Sequence, residues 1–214
     1  MRLLSHHCSA LTGHVSHHYD DHMARWEPGA RERLVLAAVD LFNERGYDAT
    51  TVAQIADRAG VTRSTFFRHF SDKREVLVAG QETLSRLMAE GIVEASADAT
   101  PLGMVSAGLE RAAGEMGPMN RELGPRLSAA IAASTELQER DALKSVGLAA
   151  AMTDALITRG VADATARVAA ELGVLAFKQG YAKWTEGEKD DGAPLVPFVL
   201  EALSELRSAA GSLG

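Results

Sequence analysis

The stretch from Thr51 to Phe70, TVAQIADRAGVTRSTFFRHF, constrains this chain more than any other, because its signals demand two short helices and a tight turn. Thr51 and Gln54 have the spacing of a capping box, in which a hydroxyl and a side-chain amide satisfy free N–H groups at a helix start. A helix is therefore predicted to open at Thr51. Ile55 and Ala59, four apart, share one face, and Gly60 stands where the chain must reverse and a left-handed backbone meets no Cβ penalty. A second helix is predicted from Thr62 to Phe70. There Phe66 and Phe70 bury together, turning Arg63, Ser64, Thr65, Phe67 and Arg68 to other faces, with side chains suited to phosphates and base edges. The outline is that of a helix-turn-helix, although an ordinary helical hairpin has the same punctuation.

The flanks favour the first reading. From Pro28 to Arg45, Leu34, Ala38, Leu41 and Phe42 recur at i, i+4, i+7 and i+8, an apolar stripe that ends at Gly46 and makes a three-helix unit. Downstream, Ser71 is expected to cap a further helix that opens with Asp72, Lys73, Arg74 and Glu75 and runs to about Ala95 as a connector.

The run from Gly46 to Leu77 resembles the DNA-binding domain of the TetR family of bacterial transcription regulators. Thr51, Ile55, Ala56, Ala59, Gly60, Val61, Thr62, Phe66, Phe67, His69, Phe70 and Lys73 fall on that family's pattern. Ser64 departs from it where Gly is frequent, and Phe67 where Tyr is frequent. Phe67 lacks a phenolic donor for phosphate, so its expected part is packing against the sugar backbone or within the core. The resemblance implies a DNA-contacting set of Thr51, Thr62, Arg63, Ser64, Thr65, Phe67, Arg68, His69 and Lys73. Arg63 and Lys73 are expected at phosphates, and Ser64, Thr65, Arg63 or Arg68 at base edges. His69 reads more readily as a packing or capping residue than as a reader of bases.

A net charge of −7 at first argues against a phosphate partner. Its distribution answers the objection: residues 24–75 hold nine Arg and Lys against eight Asp and Glu, whereas residues 76–214 hold twelve against nineteen. A nearly neutral reader must gather Arg63, Arg68, Lys73 and Arg74 on one face, which implies sequence-specific binding with modest nonspecific affinity. Aromatics are 5% of residues, and an Ala- and Leu-rich interior without alternating strand patterns reads as all-α. The single Cys8 excludes an internal disulfide framework, which suits a reducing cytoplasm, and no apolar run approaches a membrane span.

Residues 1–22 hold six of the seven His and the sole Cys, with no amphipathic period and no signal-peptide core. They read as a disordered leader, with Met23 a natural start. The alternative is a metal-responsive segment built on His6, His7, Cys8, His14, His17 and His18, although these spacings match no closed site, so no metal or other cofactor is expected. The expected organisation is thus leader 1–22, helix-turn-helix domain 23–75, and a larger helical ligand-binding and dimerisation domain 76–214.

In that third region Pro101, Pro118 and Pro125 mark helix starts or kinks, and helices are expected near Glu136–Arg159, Ala162–Glu186 and Pro194–Ala210. It contains no phosphate loop, HExxH, nucleophile elbow or clustered carboxylates, so no enzyme is expected. Ala169, Gly173, Ala176 and Gly180 form a small-residue seam that, with Leu195, Val199 and Leu203, is expected to build a four-helix interface with a second chain, the alternative being a helix buried entirely within one monomer. The family resemblance implies the same arrangement. It also implies a small-molecule pocket, for which Met88, Met104, Met116, Leu127, Ile131 and Met152 are the candidates, Trp184 being nearby. The expected function is a homodimeric repressor on a palindromic DNA operator, released by a small, largely apolar effector. A regulator without such a ligand is the alternative.

Overall fold

The computed structural model describes residues 29–187 and 192–213, and the His-rich leader, Met23 and the predicted Pro28 helix start lie outside the described residues. Within them all regular structure is helical: α1 (Ala30–Arg45), α2 (Val52–Arg58), α3 (Arg63–His69), α4 (Gln81–Glu94), α5 (Pro101–Gly114), α6 (Pro118–Ala132), α7 (Thr135–Thr158), α8 (Asp163–Glu186) and α9 (Val196–Gly211). Pro101 and Pro118 each take the first position of a helix, where their missing N–H costs nothing, while Pro125 sits inside α6.

The expected continuous connector from Asp72 to Ala95 is broken. Asp72, not Ser71, is the cap: its Oδ1 accepts from the backbone N–H of Arg74 at 2.8 Å and of Glu75 at 3.2 Å. Only a 3-10 turn, Arg74–Val78, follows before Gly80 adopts φ +85° and α4 begins afresh. The sequence signal for the break is Ala79-Gly80, where a left-handed residue interrupts the helix.

Two apolar cores result. The first joins Leu34, Ala38, Leu41, Phe42, Ile55, Ala59, Phe66 and Phe70, and it also takes in Val76, Leu77, Ala130 of α6 and Leu137 of α7. The second fills the space between α4, α5, α7, α8 and α9. Its helices approach at glycine: a Cβ on Gly91 of α4 would lie 2.6 Å from the Ala107 carbonyl oxygen, and one on Gly108 of α5 2.6 Å from that of Met88.

The α8 seam belongs to this second core. Ala169, Gly173, Ala176 and Gly180 are buried within the one chain, as are Leu195, Val199 and Leu203. A Cβ on Gly180 would meet Val199 Cα at 2.6 Å, and one on Gly173 would meet Met152 Cε at 2.6 Å and Val105 Cγ1 at 2.7 Å. The expected intermolecular interface is therefore an intramolecular one, because α9, α7 and α5 of the same chain already occupy the close approach that small residues permit. Beside it α8 exposes a stripe of Val168, Leu175, Gln179 and Ala182, with charged residues such as Arg167, Glu171 and Lys178 also in water.

The six residues expected to share a pocket also separate. Met88, Met104 and Met152 are buried in the second core with Met116 at its margin, whereas Leu127 and Ile131 pack against the first. Met88 flanks the close approach of α4 to α5 while Met152 of α7 fills the space over Gly173 of α8, and α6 faces the reader domain with its apolar side. A groove of about 900 Å³ opens elsewhere, between α5, α8 and α9, with Pro101, Leu102, Val168, Leu172, Leu200 and Leu203 among its walls.

Candidate nucleic-acid interface

Both short helices are set by their caps. Thr51 Oγ1 accepts from the Gln54 N–H at 3.3 Å while Gln54 Oε1 accepts from the Thr51 N–H at 2.9 Å, so α2 starts at Val52 as the capping box dictates. Gly60, at φ +66°, reverses the chain. Thr62 Oγ1 then accepts from the Thr65 N–H at 3.1 Å and starts α3 at Arg63. Phe66 is wholly buried and Phe70 nearly so, fixing the rotation of α3 about its axis.

That rotation leaves one face open. Arg63, Ser64 and Arg68 are exposed, Thr65 is half-buried, and Phe67 is 52% exposed with its ring edge-on to Phe66 at 5.5 Å. Neither Arg63 nor Arg68 has an ion-pair partner among the described residues. The neighbouring cations differ: Arg58 makes a bidentate pair with Glu44 at 2.8 and 2.9 Å, and Arg74 pairs with Asp72 at 2.8 Å. Unpaired positive charge is thus available on the open face of α3, where donors to phosphate and to guanine edges are wanted.

Lys73 is placed otherwise than the expectation at phosphate. Its Nζ donates to the carbonyl oxygens of Tyr47 at 2.6 Å and Thr50 at 3.0 Å and lies 4.0 Å from the Tyr47 ring centroid. It clamps the α1–α2 connection in this structure. Thr51 and Thr62 likewise engage their hydroxyls in caps. His69 is half-buried beside Phe70, and its Nε2 is shielded without a partner among the described residues.

Two residues that hold this site escaped the sequence reading. Thr50, 1% exposed, donates to the Gly46 carbonyl oxygen at 2.8 Å, tying the loop before α2 to the end of α1. Tyr47 donates to Glu136 Oε1 at 2.9 Å, and burial first, then this bond, pushes its hydroxyl pKa upward. Their signal is their place in the short connection between Gly46 and Thr51, which looks like a mere stop.

The reader is fastened to the rest by α6. Arg126 pairs with Asp40 of α1 at 2.8 Å, and Asn43 Nδ2 donates to the Arg126 carbonyl oxygen at 2.8 Å. At its other side α6 meets α8: a Cβ on Gly124 would lie 2.5 Å from Thr185 Cγ2, and Tyr181 donates to the Asn120 carbonyl oxygen at 2.6 Å. Buried Arg121 adds a bond from Nε to the Trp184 carbonyl oxygen at 2.9 Å. Burial also lifts the Tyr181 hydroxyl from 10.0 to about 12.

Comparison with known proteins agrees with this geometry. The family model described as "Bacterial regulatory proteins, tetR family" matches residues 34–79. The transcriptional regulator TcmR of Streptomyces glaucescens is 36% identical over 76 residues, covering 36% of this chain and 34% of its own. The transcriptional activator FasR of Mycolicibacterium smegmatis is 45% identical over 49 residues, covering 23% of this chain and 22% of its own. The transcriptional repressor BepR of Brucella suis is 46% identical over 46 residues, covering 22% of each. The chain thus spans about a third or less of the length of these relatives. A crystal structure described as a TetR-family regulator of Syntrophomonas wolfei matches with a TM-score of 0.53 at 20% identity, over 86% of this chain and 96% of that one, a likeness of fold.

Proposed function

We propose that the chain is a DNA-binding transcription regulator of TetR type that acts as a homodimeric repressor of a palindromic operator in the cytoplasm, released by a small, largely apolar effector. The observation that carries the DNA half is the open face of α3, on which Arg63, Ser64, Thr65, Phe67 and Arg68 are held outward by the burial of Phe66 and Phe70. Two such helices related by a two-fold axis reach successive major grooves about 34 Å apart.

The dimer is assigned to the outward stripe of α8. Val168 is 61% and Leu175 43% exposed, apolar area of the kind that marks an association surface. The groove between α5, α8 and α9 borders that stripe, and its apolar walls with Ser204 and Arg207 suit a greasy effector bearing a small polar group. Among the relatives, BepR is described as a repressor and FasR as an activator. Likeness to these relatives therefore does not fix the sign of regulation.

The test is genomic footprinting with the purified protein, combined with its mass in solution. Protection of an inverted repeat by a dimer, with affinity falling steeply as salt rises, supports the reading. A monomer at micromolar concentration, or a dimer that survives Val168→Glu and Leu175→Glu together, overturns the assigned interface.

A further inference from the structure

A second cavity lies where the helix-turn-helix unit meets α4 and α7. It measures about 570 Å³, and its walls include Arg31 of α1, His69 at the end of α3, Glu75, Gln81 of α4, and Arg140 and Gly147 of α7. It therefore touches α1, the end of α3, α4 and α7, on the junction of reader and body away from α6. Unlike the α5–α8–α9 groove, it is polar.

Two buried nitrogens of its lining residues have no hydrogen-bond partner among the described residues: His69 Nε2 and Arg140 Nε. A buried polar atom left unpaired bears its desolvation cost without return, so two at one cavity point to a missing partner. Glu75 neutralises the outer end of Arg140, accepting from its Nη2 at 2.5 Å, but leaves Nε unbonded. Arg31 sits 5.4 Å from the Phe70 ring centroid and has no carboxylate partner among the described residues. Glu82, also on the wall, is exposed to water. Gly147 leaves room for the Gln81 amide, whose flexible end occupies the place a Cβ would take. Three nitrogen donors of two arginines and a histidine thus surround a space of metabolite size with a movable amide beside it.

We propose that this cavity is a second effector site, taking a small carboxylate-bearing metabolite. Its carboxylate accepts from Arg140 Nε–H, from the Arg31 guanidinium and from His69 carrying its proton on Nε2, while Gln81 swings aside. Occupancy ties α1 and the end of α3 to α4 and α7 and so selects one reader angle. Its influence on operator affinity rests on the DNA-binding reading above, and ligand capture itself does not.

The experiment uses the full chain with sodium succinate as probe and sodium sulfate at matched ionic strength as control. Succinate is expected to give saturable heat in calorimetry and to raise the melting temperature by about 2 to 4 °C near saturation, with no such response to sulfate. Arg31→Gln, on an exposed residue, and Gly147→Leu, which fills the space, should each weaken succinate binding about tenfold or more. Operator affinity should change at least about threefold with succinate in the parent protein and not in Gly147→Leu. Absence of saturable heat, an equal response to sulfate, or full binding by Arg31→Gln overturns the site. Saturable succinate binding with unmoved operator affinity overturns the coupling. A protein that captures succinate yet binds no DNA strikes the functional reading and leaves the site standing.

Discussion

Helices α3 and α8 are built on the same device, a repeat of residues three or four apart, and they use it in opposite ways. In α3 the repeat Phe66 and Phe70 is an anchor, and the face it leaves over is the working surface. In α8 the repeat Ala169, Gly173, Ala176 and Gly180 lets helices of the same chain come close, and the surface left for a partner is the stripe beside it. The difference teaches that periodicity tells which side chains share a face, whereas what covers the face depends on where distant segments pack.

The sharpest break of that comparison is Gly180→Leu. The new side chain starts 2.6 Å from the Val199 backbone, so about 3 kcal/mol or more of folding stability should be lost, read as a urea midpoint shift independent of protein concentration. A stable monomer that merely fails to pair would return the seam to the dimer interface. Next comes Lys73→Met, which removes two charged hydrogen bonds to the Tyr47 and Thr50 carbonyls and should cost about 2 kcal/mol. If stability is unmoved and only the salt slope of DNA binding flattens, the lysine serves phosphate instead.

Arg63→Gln sharpens the contrast from the other side. It should leave the urea midpoint in place and weaken operator binding about tenfold, an effect of about 1.4 kcal/mol, because the guanidinium has no ion-pair partner among the described residues. A loss of fold would mean the face of α3 is structural. The smallest effect is expected from Thr62→Ala, which deletes the cap on Thr65 N–H and should cost about 1 kcal/mol. Thermal unfolding against Thr62→Ser, which keeps the oxygen, separates capping from loss of bulk.

What could be read beforehand follows the same division. The caps at Thr51 and Thr62, the turn at Gly60 and the burial of Phe66 and Phe70 are decided within a few residues, so the chain states them openly. The α8 seam and the methionines were recognisable as apolar and close-packed, but their neighbours lie on α5, α7 and α9, far along the chain. Lys73 shows the limit inside the reader itself: its position after Phe70 was legible, while the carbonyls it holds are more than twenty residues away. The break at Gly80 has a local signal in Ala79-Gly80, which a helix drawn without interruption to Ala95 passes over.

The first core has a seam of its own, since Ala130 of α6 and Leu137 of α7 complete it from outside the helix-turn-helix segment. Reading heads of such regulators look interchangeable when aligned, because the shared stretch stops near residue 79. In this chain a transplant cut there would carry Phe42, Val76 and Leu77 without the roof they fold under, and would give a new host a head with a greasy underside. Any chimera built from it has to bring along the matching turn between α6 and α7, so that specificity for DNA and the identity of the body are inherited as one block.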